Sequence, residues 1–218
     1  MLDRIIDSAR SIFISDGYRH ARIDLVARLA GVSVGTVYRY VEGKEALFEL
    51  VLRRAAGDPA AVALPRPFRT GHAATLVTDL RRWLTESAPL ARLRAAQDID
   101  RPADAAGEFE DIVRAIYRWY LAYGAALSLI ERCARDRPDL AAMDDALRRD
   151  LQVLVARYLE RRMTSGIVRR LPDANLAARV LALNCAALAA EHEVSLSAQA
   201  MEAAEATLIG LMSSAFLV

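Results

Sequence analysis

The chain has 218 residues, 54% of them apolar and 26% charged, and its 29 basic and 28 acidic side chains leave a formal net charge of +1. That balance suits one large or two small folded domains with a sizeable core. It excludes a disordered chain, and equally a protein whose whole surface is a basic field for nucleic acid. The two cysteines, Cys133 and Cys185, are too far apart in sequence for a CxxC pair, so a disulfide scaffold or structural zinc site is not expected. Acids at Asp3 and Asp7 interrupt the N-terminus, and no uncharged apolar run reaches eighteen residues. Neither a secretory leader nor a membrane span is therefore expected, and the expected location is cytoplasmic.

Helical spacing dominates from the first residues. Leu2, Ile5, Ile6, Ala9, Ile12 and Phe13 repeat as one face of a helix, and Asp16-Gly17 supplies its stop. A short helix is predicted over Ile23 to Ala30, ended by Gly31. A second, capped by Ser33, runs through Tyr40, and a longer one opens at Gly43-Lys44 with Leu47, Leu50 and Val51 on one face. The breaker-rich stretch Gly57-Asp58-Pro59, Pro65 and Pro67 places a domain boundary there, dividing the chain into 1–56 and 57–218. Later helices are expected near 71–87, 89–100, 107–136, 139–165, 173–192 and 197–216. Alternating strand patterns are absent, so the fold class is all-α.

The two short helices and their tight turn have the makings of a helix-turn-helix. Ala27 is small enough for the helix crossing, Gly31 tolerates the turn, and Val26, Ala30, Val32 and Val37 can pin the second helix to the first. In a DNA reader of this kind the second helix enters the major groove with its N-terminal end, here Ser33, Val34, Gly35 and Thr36. Small residues there allow close approach, and Thr36 offers a methyl and a hydroxyl to a base edge or phosphate. Tyr38 and Arg39 can reach phosphates, Lys44 can clamp one at the head of the next helix, and Arg22 can do so from the other side. The local charge agrees: residues 1–56 carry nine basic against seven acidic side chains.

Three blocks within this stretch, Ala30-Gly31-Val32-Ser33, Gly35-Thr36-Val37-Tyr38 and Lys44-Glu45-Ala46-Leu47, resemble the TetR/AcrR family of transcription regulators. The resemblance covers roughly the first quarter of the chain. It implies an all-α homodimer with an N-terminal three-helix domain that reads a palindromic operator. The larger C-terminal domain would bind a small molecule and dimerise through its last two long helices. Two positions depart from the family pattern. Ala21 stands where a Thr near the head of helix 2 is usual, which removes a cap worth about 1 kcal/mol. Val41 stands where an aromatic is frequent.

The rest of the chain offers candidates, each with a plain alternative. Tyr117, Tyr120 and Tyr123 share a helix face, and Trp83 joins them as possible lining of a largely apolar effector pocket, or simply as core. Asn184 interrupts an apolar helix and either reaches a ligand or a dimer mate, or bonds nearby backbone. Helix 173–192 is apolar almost all round, and the last helix repeats Met201, Ala204, Leu208, Leu211, Met212 and Ala215. Together they suit a four-helix dimer interface. Adjacent acids Asp144 and Asp145 point about 100° apart and do not converge on a metal. His20, His72 and His192 are isolated, and no cofactor motif or catalytic constellation stands out, so an enzyme is not expected. The expected function is a ligand-responsive DNA-binding regulator, most simply a repressor. A constitutive or architectural DNA-binding dimer and an all-α enzyme are the alternatives.

Overall fold

A computed structural model describes the chain except residues 59, 60, 62–64, 72, 100, 101 and 193–196. Pro59 and His72 thus lie outside the described residues. Among the described residues the regular structure is ten α-helices with no strand: α1 (Leu2–His20), α2 (Ile23–Leu29), α3 (Val34–Tyr38), α4 (Lys44–Ala55), α5 (Ala73–Thr85), α6 (Ala88–Ala96), α7 (Ala105–Ala134), α8 (Pro138–Thr164), α9 (Ala174–His192) and α10 (Ala198–Phe216). The all-α expectation holds, and the helices fall in the predicted order. Their ends differ by a few residues where caps compete.

The chain forms two compact units, residues 1–84 with 125–146, and residues 85–124 with 147–218. Compactness therefore groups residues otherwise than the division at 56/57, because α7 and α8 each contribute to both units. The segment after α4 also stays with the first unit.

In the first unit, Ile5, Ile6, Ala9, Ile12 and Phe13 of α1 are buried against α2 and α4, at the spacing that predicts them. Gly17 breaks α1 with φ 76° and ψ 172°, so the helix bends at the expected stop and resumes to His20. The C-terminal end of α7 closes on this bend. Arg132 donates to the Ser15 carbonyl at 2.8 Å, and the Arg19 N–H donates to Asp136 Oδ2 at 2.8 Å. Arg137 lies 5.0 Å over the Tyr18 ring. Helix α4 buries every residue from Ala46 to Leu52, including Glu49. Glu49 accepts from Arg53 Nε at 2.8 Å and from the Gly71 N–H at 3.0 Å, and Arg53 also donates to Asp58 at 3.2 Å. A buried carboxylate is tolerable here because both oxygens are engaged.

In the second unit, Leu90, Leu93, Phe109, Ile112, Val113, Ile116, Val155, Leu159, Ala178, Leu181 and Cys185 are core. Arg162 is fully buried. Its guanidinium grips Glu108 at 2.7 and 3.1 Å and donates to the Ala96 and Ile99 carbonyls at 2.8 and 2.9 Å. Tyr158 donates to the same Glu108 at 3.1 Å. One residue thus ties the end of α6, the start of α7 and the body of α8. Helix α9 is not buried on all sides: Leu176, Val180 and Leu183 are 58, 44 and 52% exposed along one face. A single chain packs only the opposite face, that of Ala174, Ala178, Leu181, Cys185 and Ala189.

Candidate nucleic-acid interface

The turn between α2 and α3 is made by the backbone. Beyond the last residue of α2, the Gly31 N–H donates to the Arg28 carbonyl at 3.1 Å and the Val32 N–H to the Ala27 carbonyl at 2.9 Å. Those two bonds are a Schellman motif, which needs a left-handed residue at Gly31, whose φ is +64°. A β-carbon there would lie 2.8 Å from Arg4 Nη2, which itself donates to the Ala30 carbonyl. Arg4, on α1, therefore holds the turn from behind.

Ser33 caps α3, its Oγ accepting from the Thr36 N–H at 3.1 Å. The two hydroxyls lie 2.8 Å apart, and Arg39 donates to Thr36 Oγ1 at 3.2 Å. With one hydroxyl proton shared inside the pair, the other is available to an outside acceptor. Val37 is fully buried and anchors the helix, whereas Val34 and Tyr38 are 40 and 49% exposed, one turn apart on a shared face. Gly35 and Arg39 are exposed beside them. The helix thus fixes itself by Val37 alone and presents Ser33, Val34, Gly35, Tyr38 and Arg39 outward, with Thr36 half-buried. An exposed valine and tyrosine on a five-residue helix are not packing residues.

Two of the basic candidates stand at the expected helix starts and also have partners within the chain. Lys44 Nζ donates to the Tyr18 and Arg19 carbonyls at 3.0 and 3.2 Å and lies 4.7 Å from the Tyr18 ring centroid. Its charge sits on the carbonyl end of α1, where a cation is favoured, and ties α4 to α1. Arg22 forks onto Asp24 at 2.9 Å twice, so its charge is matched locally, though the side chain stays exposed. Arg22 is also the N-cap residue of α2, with no side-chain cap. Ala21 is 2% exposed, so the missing threonine is a buried position and not the cap.

The segment after α4, read in the sequence only as a connector, returns to this region. The Phe68 N–H donates to the Tyr40 carbonyl at 2.8 Å and the Glu42 N–H to the Phe68 carbonyl at 3.0 Å, a parallel bridge beside Val41. Phe68 and Val41 are both buried. The sequence signal was one large aromatic among prolines and arginines.

The effector candidates fall in both units. Trp83 belongs to the first unit, where the Arg53 guanidinium lies 5.5 Å over its ring. Tyr117, Tyr120, Tyr123 and Asn184 belong to the second. Tyr117 is buried, and burial followed by the nearby Glu205 charge raises its phenol pKa. Trp119 packs edge-on against Tyr120 at 4.9 Å and reaches Tyr123 at 6.1 Å. Asn184 is exposed, not buried, and donates to the Val180 carbonyl at 2.8 Å, the plain backbone bond. A groove of about 540 Å³ between α6 and α7 has none of these five on its walls. Arg92, Asp104, Glu108, Glu110, Asp111 and Arg114 line it above a floor that includes Ala96 and Ile112. Among the described residues no three His, Cys, Asp or Glu side chains gather as a metal site, and no helix is long and apolar enough to cross a membrane.

Residues 5–51 match the family model described as bacterial regulatory proteins, tetR family. Over 49 residues the chain is 43% identical to the HTH-type transcriptional regulator SrpR of Pseudomonas putida, 22% of this chain and 23% of that one. It is equally identical over 49 residues to a second Pseudomonas putida protein, the HTH-type transcriptional regulator TtgW, covering 22% of this chain and 37% of that protein. The matched stretch therefore spans well under half the length of these relatives. Across 99% of this chain and 94% of the other, the fold is similar to that of the ketosteroid transcriptional regulator KstR2 of Mycobacterium tuberculosis, with a TM-score of 0.62 at 15% identity. The helix-turn-helix built on Gly31 and Ser33 thus lies in a stretch, residues 5–51, that is similar to the tetR family of bacterial regulatory proteins, and the chain as a whole shares the fold of one such transcriptional regulator.

Proposed function

We propose that the protein is a transcription regulator that binds a palindromic operator as a homodimer and is released from it by a small molecule. The observation that carries the DNA reading is the outward face of α3: Val37 alone anchors the helix, while Ser33, Val34, Gly35, Tyr38 and Arg39 are left for a partner. Inserted N-terminus first, this face sets Val34 and Thr36 against base edges and Tyr38 and Arg39 against phosphates. Lys44 and Arg22 serve the interface from its margin. Lys44 has two N–H groups on α1 carbonyls and can turn the third outward, and Arg22 can exchange Asp24 for a phosphate.

The open faces of α9 and α10 support a dimer. Leu176, Val180 and Leu183 lie exposed on α9. On α10 the exposed residues Ala203, Thr207, Gly210 and Ser214 are small enough for close helix approach, and Leu211 among them is 61% exposed. A two-fold partner that covers these faces also supplies the second reading head that a palindrome needs. The α6–α7 groove is the effector site this reading favours. Its charged walls fit a molecule with polar or charged groups, rather than the largely apolar one the aromatics suggested. Helices α7 and α8 belong to both units, and the end of α7 is bonded to α1, so they are the transmission elements we favour over α4. The effector must prefer one conformer by about 1–3 kcal/mol to act.

Gly35→Glu tests the DNA reading. A β-carbon at Gly35 has ordinary contact only, 3.9 Å from Ser33 Oγ, so the fold accepts it while a carboxylate is set toward phosphates. The variant is expected to melt like wild type and to lose binding to a labelled duplex by fluorescence anisotropy. Retained binding would overturn the docking of α3.

A further inference from the structure

We propose that residues 66–69 form a second phosphate-contacting arm, which places Arg66 and Arg69 on the DNA backbone beside α3. The arm rests on the DNA reading above and extends the contact surface beyond the helix-turn-helix. The backbone bonds of Phe68 to Tyr40 and Glu42 fix the arm at the C-terminal end of α3, and the buried Phe68 ring holds it there. With the N-terminal end of α3 at the bases, its C-terminal end lies toward the phosphate strand that borders the groove.

Both arginines are exposed and suited to phosphate. The guanidinium carbon of Arg66 lies 5.2 Å over the Tyr40 ring, a cation–π contact. A contact with the ring leaves the guanidinium N–H donors available, and a guanidinium can fork onto a phosphate. Arg69 lies 3.6 Å from Glu42 with its side chain 79% exposed. A surface pair of that length is worth little, and a phosphate can take the place of the carboxylate. The two arginines also add to the head's modest positive excess: residues 1–56 are net +2, and residues 1–69, with Asp58 counted, are net +3.

The test uses the full-length protein with a duplex enriched from a random pool and a scrambled duplex of equal length, titrated by anisotropy across salt. Arg66→Gln/Arg69→Gln is expected to weaken both duplexes alike. It should also flatten the log–log salt slope by about 0.9 for each phosphate no longer neutralised, hence about 1.8 per protomer. Arg66→Lys/Arg69→Lys should restore most of the slope. Glu42→Gln, which frees Arg69, should act in the opposite sense and tighten binding. An unchanged slope in the double glutamine variant overturns the arm, as does a loss of binding confined to the enriched duplex and accompanied by a lower Tm. If Gly35→Glu abolishes binding while the arm variant does not change it, the arm fails and the DNA reading stands. If wild type binds neither duplex at any salt, the DNA reading fails and the arm with it.

Discussion

Gly31 carries the helix-turn-helix at the scale of one residue, because its φ of +64° strains any side chain and a β-carbon there, 2.8 Å from Arg4 Nη2, would force that guanidinium to move. Gly31→Ala is expected to cost about 1–2 kcal/mol from the left-handed conformation alone. Displacement of Arg4 from the Ala30 carbonyl adds to that, and urea denaturation measures the sum. Lys44 is the second such residue. Its ammonium caps the carbonyl end of α1, so Lys44→Met should lower Tm as well as DNA affinity, whereas a pure phosphate contact would lower affinity and leave Tm unchanged. Burial pushes the thiols of Cys133 and Cys185 up from the ordinary 9.0 to about 11 and about 12. Both should resist iodoacetamide at pH 7.5 in the folded protein and react once it is unfolded. Because the folded values are raised, their contribution to stability is complete below pH 9 and is lost as pH rises toward 11 and 12, so urea midpoints should fall across that window.

Single helices show how far periodicity and punctuation reach. α1, α2 and α3 were legible because Gly17, Gly31 and Ser33 are turn and cap residues with one physical reading, and Val37 was rightly placed as an anchor. The fold-back of residues 66–69 was not legible. Prolines mark a connector, but nothing in them says that Phe68 will pair with Tyr40. The second role of Lys44 was hidden for a related reason: a lysine at a helix start suits a phosphate and a neighbouring carbonyl end equally, and only tertiary proximity shows that it also caps α1. For the ligand candidates composition stops short, since tyrosines at helical spacing suit a packed face and a pocket wall alike, and the contacts of Trp119 with Tyr120 and Tyr123 fit either. The Arg162 tie between α6, α7 and α8 had no sequence signal at all, being made to carbonyls at Ala96 and Ile99. Arg162→Leu removes the counter-charge of Glu108 and should destabilise by about 3–5 kcal/mol. Arg162→Leu/Glu108→Gln should recover part of that loss, read from urea midpoints.

For the whole molecule, the proposed operator recognition requires two reading heads set by one dimer. Leu183→Arg places a charge in the exposed apolar face of α9 and should give a monomer in sedimentation velocity, with Tm close to that of the wild-type protomer and DNA affinity much reduced. A dimer that survives Leu183→Arg would place the interface elsewhere. Selection of binding sites from a random DNA pool by the full-length protein, followed by sequencing, asks directly whether a dimer reads DNA through α3. A dimeric reader should enrich a palindrome with half-sites about 34–36 Å apart, or a multiple of that spacing, and lose the enrichment with Gly35→Glu. Absence of any enriched sequence, or enrichment that Gly35→Glu leaves intact, would contradict that reading.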